Sequence, residues 1–289
     1  MSYSAEISRT SPTAIIFVID QSASMADKTP NSDPPQRKCD AVADMVNNYL
    51  RNLSMSCVRE EEIRDYFHIG VIGYGKNVDM AWSGCFENRE FVPISEIASS
   101  PARIDTRTKK SPDGAGGIIE TNVRFPVWFE PVASGGTPMT SAIMMAHRLA
   151  DQWIKENPKC FPPIVIHVTD GESTDSKDGE IANRMVGDAM EKLKSISSTD
   201  GNVLLFNIHL SSSHNARSVS LPSNPDALTD DYARMLFKGS SELTSEMRFI
   251  AKNDHGLSVI EGSKCFALEA DIVLLIQCLD IGTRRANLR

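Results

Sequence analysis

Asp20, Ser22 and Ser24 alternate in the stretch DQSAS, directly after the apolar run TAIIFVI. Alternate side chains of an extended segment leave the backbone on the same side, so a chain that curves here aims one carboxylate and two hydroxyls at a common centre. Two other places offer matching chemistry. Thr137 stands in SGGTPM, where Gly135 and Gly136 permit a tight turn, and Asp170 ends a second apolar run, PPIVIHVTD. All five side chains are hard oxygen donors, with no imidazole or thiol among them. That set favours magnesium, with manganese or calcium as alternatives, over zinc or copper. If uncharged hydroxyls supply most of the inner shell, the ion keeps much of its charge and draws an outside carboxylate to its open position.

Such a site needs strands that end together. Strand-like and helix-like segments alternate along the chain, which predicts an α/β fold: doubly wound, with a mostly parallel central sheet, one antiparallel edge strand and helices on both faces. Strands are expected at about 13–20, 66–75, 162–170 and 202–210. A short strand at 78–82 follows a Gly-Lys-Asn turn, which implies an antiparallel hairpin. Helices are expected from about Cys39, at 140–156 with Thr140 or a neighbour as cap, at 181–196, at 226–238 and at 241–253. The helix at 181–196 should bury Ile181, Met185, Ala189 and Leu193. GLSVIE reads as a further strand and ALEADIVLLIQCLDIG as the closing helix. An open parallel sheet binds ligands beyond the carboxyl ends of its strands, where Asp20 and Asp170 fall.

Residues 1–289 read as a single domain with an inserted excursion at about 100–128. The wider segment 86–131 holds five prolines, the basic run RIDTRTKK and the cluster GAGG. It reads as a solvated excursion with a hairpin near Ile118 to Phe129, of a kind that partners dock on.

Composition excludes several classes. A net charge of -8 opposes nonspecific phosphate binding, so no nucleic-acid partner is expected. No run approaches the roughly 20 apolar residues that cross a bilayer, and the first dozen residues lack a secretory pattern; no membrane role and a cytoplasmic location are expected. The six cysteines show no CxxC spacing and read as free, buried thiols. His68, His167 and His209 fall within strand patterns, without HxxxH or HExxH spacing, and read as packing groups, with His167 placed to tune Asp170 from below. GAGG lacks the lysine of a phosphate loop. No GxSxG elbow surrounds Ser22 or Ser24, so no catalytic residue is assigned. The acids of GESTDSKDGE read as a solvated loop and the negative first turn of a helix.

The three segments DQSASM, GGTPM and VTDGE resemble the three parts of the metal-ion-dependent adhesion site (MIDAS) of von Willebrand factor A (VWA) domains, a Rossmann-like family. The resemblance implies that Ser22, Ser24 and Thr137 ligate the ion, while Asp20 and Asp170 act largely through bound water. Ala23 departs from the family's usual glycine. The family role implied is capture of an Asp or Glu of a protein partner, without catalysis. EFVPISEIASS and VTDGESTD are similar to compact bacterial members of the tellurite-resistance-associated (TerY-like) group. That likeness implies a stress-response or defence assembly with kinase, phosphatase or ATPase partners. A metal-dependent hydrolase or phosphotransfer enzyme, and a client adaptor for a separate ATPase, are the alternative functions.

Overall fold

The computed structural model describes residues 3–29, 35–112, 117–211 and 217–283. In chain order the elements are β1 (Thr13–Asp20), α1 (Lys38–Ser56), the short ribbon β2 (Val58–Arg59) and β3 (Glu62–Ile63), β4 (Phe67–Tyr74), β5 (Val78–Met80), β6 (Val92–Pro93) and α2 (Ile94–Ser99). A hairpin of β7 (Arg103–Pro112) and β8 (Ile118–Val127) follows, then α3 (Met139–Glu156), β9 (Ile164–Thr169), α4 (Gly179–Ser195) and β10 (Leu204–Leu210). The chain continues through β11 (Val219–Ser220), α5 (Asp231–Gly239), α6 (Ser245–Asn253), β12 (Phe266–Ala270) and α7 (Ile272–Thr283).

The main sheet runs β11-β12-β10-β9-β1-β4-β5, with β6 paired to β4. From β12 to β4 the neighbours are parallel, while β5 and β11 lie antiparallel at the two edges. The fold is therefore the doubly wound α/β class expected. Its topology has one consequence for function. The chain leaves β1 toward β4 on one side and later returns to place β9 on the other. The order reverses between β1 and β9, where the loops diverge and leave a crevice. Asp20 ends β1, and Asp170 follows β9 directly.

Every residue of β1, β9 and most of β4 is buried, which explains their unbroken apolar runs. Ile15, Phe17 and Ile19 pack with α1, α6 and α7 on one face; Ile16 and Val18 pack with α3, α4 and α5 on the other. Fully burying one such side chain is worth about 1.5–3 kcal/mol. A single rim hydrogen bond contributes only about 1 kcal/mol net. The sheet therefore fixes the rim, and the rim's own bonds select a loop conformation on a frame already rigid.

Several sequence expectations need correction. GLSVIE is not a strand; the strand beside β10 is β12, a few residues later, and the closing helix is shortened to α7 because Phe266–Ala270 is claimed by that pairing. In α4 the buried face is Ala182, Val186, Ala189, Met190 and Leu193, whereas Ile181 and Met185 are about two-fifths exposed. Ala189 and Leu193 are buried as expected, and only in the first two turns does the buried stripe move by one position, to Ala182 and Val186. The excursion is more ordered than a solvated loop. The β7–β8 hairpin pairs over ten positions from Arg103↔Val127 to Pro112↔Ile118 and includes the basic run. Its root is fastened to the body: Arg107 lies over the Phe125 ring and pairs with Asp44 of α1 at 2.8 Å, and Asn47 of α1 bonds the backbone of Trp128 and Phe129. Residues 114–116 of GAGG, and His214, lie outside the described residues.

Candidate metal centre

Asp20 is 1% exposed and both of its oxygens are engaged. Oδ1 accepts the Ser22 backbone N–H at 2.8 Å, which curls the chain back as it leaves β1, and Oδ2 accepts the Thr169 hydroxyl at 2.9 Å. The curl brings the Ser22 and Ser24 hydroxyls to 3.0 Å from each other. Ser24 then donates to Asp170 Oδ1 at 2.7 Å, and Lys38 Nζ, from the first turn of α1, donates to Asp170 Oδ2 at 2.8 Å. Four of the five sequence-predicted side chains thus form one connected group across the β1–β9 crevice.

Thr137, 5% exposed, is brought alongside by its backbone. Ala23 N–H donates to Gly135 O at 3.1 Å and Ser134 N–H to Gln21 O at 2.7 Å, tying the two loops together. Gly135 has φ +86°, and a Cβ there would sit 2.5 Å from the Lys76 backbone, so this turn requires glycine. Thr174 holds Thr137 from the other side: its hydroxyl accepts the Thr137 N–H at 2.8 Å and its N–H donates to Thr137 O at 3.1 Å.

This donor set fits a small hard cation. The two serine hydroxyls hydrogen-bond each other at 3.0 Å, a separation that adjacent ligands of octahedral magnesium, each at about 2.1 Å, also adopt, so an ion could replace that bond without moving them apart. Among the described residues no cluster of three or more His, Cys, Asp or Glu side chains is placed to hold a metal, so a cation here would depend on hydroxyls. Burial pushes the Asp20 carboxyl up to about 6, against the Ser22 hydrogen bonds, and the charge of Asp170 adds to the rise. An acid so desolvated is stabilised by any cation that reaches it.

Beneath the rim, His167 is fully buried between Tyr74 and Asn207. The Asn207 amide nitrogen donates to Leu236 O and to Ser240 Oγ, so its oxygen faces His167 Nδ1 as an acceptor. The imidazole therefore carries its proton on Nδ1 and accepts the Tyr74 hydroxyl at Nε2, 2.7 Å away. Burial lowers its pKa to about 4. Because the folded value lies below the unfolded one, near 6.5, this group's contribution is complete above pH 6.5 and is lost as pH falls toward 4. The shift corresponds to about 3 kcal/mol. Denaturant titrations of wild type and His167→Gln in chelator should therefore show the variant's stability deficit narrowing by about that amount between pH 7 and pH 4. A deficit that stays constant across the window rules out the buried neutral imidazole.

Sequence reasoning missed four positioning residues: Lys38, Thr169, Thr174 and Asp175. Thr140 does not cap α3; Asp175 reaches back from the β9–α4 loop and accepts the Thr140 N–H at 2.7 Å, so the acids of GESTDSKDGE are in part structural caps. Asp178 likewise caps α4 by accepting the Ile181 N–H at 3.1 Å. These are long-range contacts without a local signature. Lys38 did leave a signal, since a cation in a helix's first turn opposes the macrodipole and calls for a specific anion.

None of the six cysteines forms a disulfide; five are buried and Cys85 is exposed. No described helix is long and apolar enough to cross a membrane.

No family model and no curated protein matches the sequence. Solved structures with a similar chain path include the PilB minor pilin of Streptococcus sanguinis, 9% identical over 69% of this chain and 50% of the pilin, with a TM-score of 0.41. They also include manganese-loaded TRAP protein of Plasmodium vivax, 16% identical over 79% of this chain and 72% of that one, with a TM-score of 0.37. The vWF domain of the type V pili tip protein Mfa5 of Porphyromonas gingivalis is 11% identical over 56% of this chain and 39% of that one, with a TM-score of 0.31. The chain thus spans half the length of the pilin. The fold assignment rests on the strand order and registers above.

Proposed function

We propose that this chain is a VWA-type, cation-dependent protein-binding module whose MIDAS-like rim holds magnesium, with manganese or calcium as substitutes, and captures an Asp or Glu side chain of a partner protein. Ser22, Ser24 and Thr137 would hold the ion, and Asp20 and Asp170 would act mainly through water, since each of their oxygens already accepts a protein hydrogen bond. The bound cation would supply a Lewis-acidic position for an incoming carboxylate. The observation that carries this proposal is the 3.0 Å pair of serine hydroxyls set between two buried carboxylates at the sheet's topological switch.

The role is binding rather than catalysis. Of the two histidines beneath the rim, His167 is held by Tyr74 and Asn207, and His209 lies with its Nδ1 3.5 Å from Glu269 and hydrogen-bonds neither serine. Among the described residues the Ser22 and Ser24 hydroxyls bond each other and Asp170, and no imidazole accepts from either to activate a nucleophile. The TerY-like resemblance supports a cytoplasmic stress-response or defence assembly, with kinase, phosphatase or ATPase subunits as the first partners to test.

Magnesium should raise the melting temperature of wild type and leave Asp20→Ala unmoved. Partners that copurify in magnesium should be released by EDTA. A set of partners retained unchanged through both EDTA and Asp20→Ala would overturn the proposal.

A further inference from the structure

Lys38 is the least expected member of the rim. It is 1% exposed, it opens α1, and its own N–H is fixed to Asp27 O at 2.8 Å. A lysine pays for such burial only with a specific anion, and that anion is Asp170, the acid that also receives Ser24. A helix amino terminus already favours negative charge, so an ammonium there is doubly disfavoured unless the site uses its charge.

We propose that Lys38 is a built-in counter-charge that weakens cation binding in the free protein and makes it depend on the partner's carboxylate. The inference rests on the metal reading above. Two carboxylates, Asp20 and Asp170, stand against one ammonium, leaving one net negative charge to face a divalent ion. The three hydroxyls add none. A bound dication would keep one positive charge uncompensated, and one incoming carboxylate would complete neutrality. Without Lys38 the two acids alone would neutralise the ion, which would bind more tightly and pull less strongly on an outside acid. Coupling of this kind is reciprocal: the partner's acid strengthens the metal by the same factor as the metal strengthens the acid.

The test measures Mn2+ affinity from the free-ion electron paramagnetic resonance signal. Wild type, Lys38→Met, Lys38→Arg and Asp20→Ala are compared with and without acetate at constant ionic strength. Lys38→Met should bind Mn2+ at least about tenfold more tightly than wild type without acetate. Acetate should tighten Mn2+ on wild type and on Lys38→Arg, and do so much less on Lys38→Met. Lys38→Gln, which keeps a donor to Asp170 without the charge, takes the place of Lys38→Met if the latter melts early. Mn2+ binding that Asp20→Ala abolishes but Lys38→Met leaves equal or weaker overturns the counter-charge and leaves the metal reading standing. Absence of Mn2+ binding in every protein overturns the metal reading itself. Binding by Lys38→Met but not by wild type supports the competition while showing that the native ammonium wins it.

Discussion

Asp170→Ala should cost about 3–5 kcal/mol of stability even with no metal present. The reason lies in its partner. Lys38 Nζ and Asp170 Oδ2 are 2.8 Å apart, with side chains 1% and 0% exposed, so removing the acid takes the paired carboxylate away from an ammonium that water does not reach. Breaking one half of a buried pair is far costlier than deleting both halves. The double variant Lys38→Met/Asp170→Ala should recover most of the loss, because an apolar side chain of similar length fills the Lys38 path without a charge to solvate. Urea titrations in EDTA, read as midpoints at a common slope, give the four corners of the cycle. A loss below about 1 kcal/mol for Asp170→Ala, or a double variant no better than the single, would mean that solvent reaches the pair and that Lys38 is an ordinary surface group.

The sequence displayed the frame more clearly than the fastenings. β1, β4 and β9 were visible because a strand covered on both faces must be apolar at every position, a pattern that depends on no distant residue. Asp20, Ser22 and Ser24 were visible for the opposite reason: three oxygens at alternate positions interrupt such a run abruptly. Thr169 and Thr174 were not visible. Each acts through one hydroxyl on a backbone or carboxylate brought near by the sheet register, Thr169 on Asp20 and Thr174 on Thr137, and a threonine in a loop or strand looks the same whether or not it does so. The strand β12 was missed because the apolar character of Phe266–Ala270 continues into α7, and periodicity alone cannot divide a short strand from the helix that follows it. The β7–β8 ribbon was underestimated because its sequence is polar. Its order comes from cross-strand pairing and from a root held by Arg107, Phe125 and Asn47.

Asp20→Asn should do the opposite of Asp170→Ala and stabilise the metal-free protein. Among the described residues no ammonium pairs with Asp20; its oxygens accept the Ser22 N–H and the Thr169 hydroxyl, and burial raises its pKa to about 6. With the folded value above the unfolded one, near 3.8, the folded state holds the extra proton between them, so stability is highest below pH 3.8 and falls as pH rises through 6. The full penalty above pH 6 is about 3 kcal/mol. Asparagine avoids it but gives up one of two acceptor positions, worth about 1 kcal/mol. A net gain of about 2 kcal/mol at pH 7.5 in EDTA should therefore shrink to nothing, or reverse, at pH 3.5. The His167 contribution runs the other way across an overlapping window, which flattens the wild-type curve and leaves the difference between variant and wild type as the informative quantity. Magnesium should then invert the ranking: at a hundredfold its dissociation constant it adds about 2.7 kcal/mol to wild type and nothing to Asp20→Asn. An Asp20→Asn protein less stable than wild type at pH 7.5 in EDTA would show that the carboxylate is already paid for by its hydrogen bonds, and that no cation is needed to explain a charge in that position.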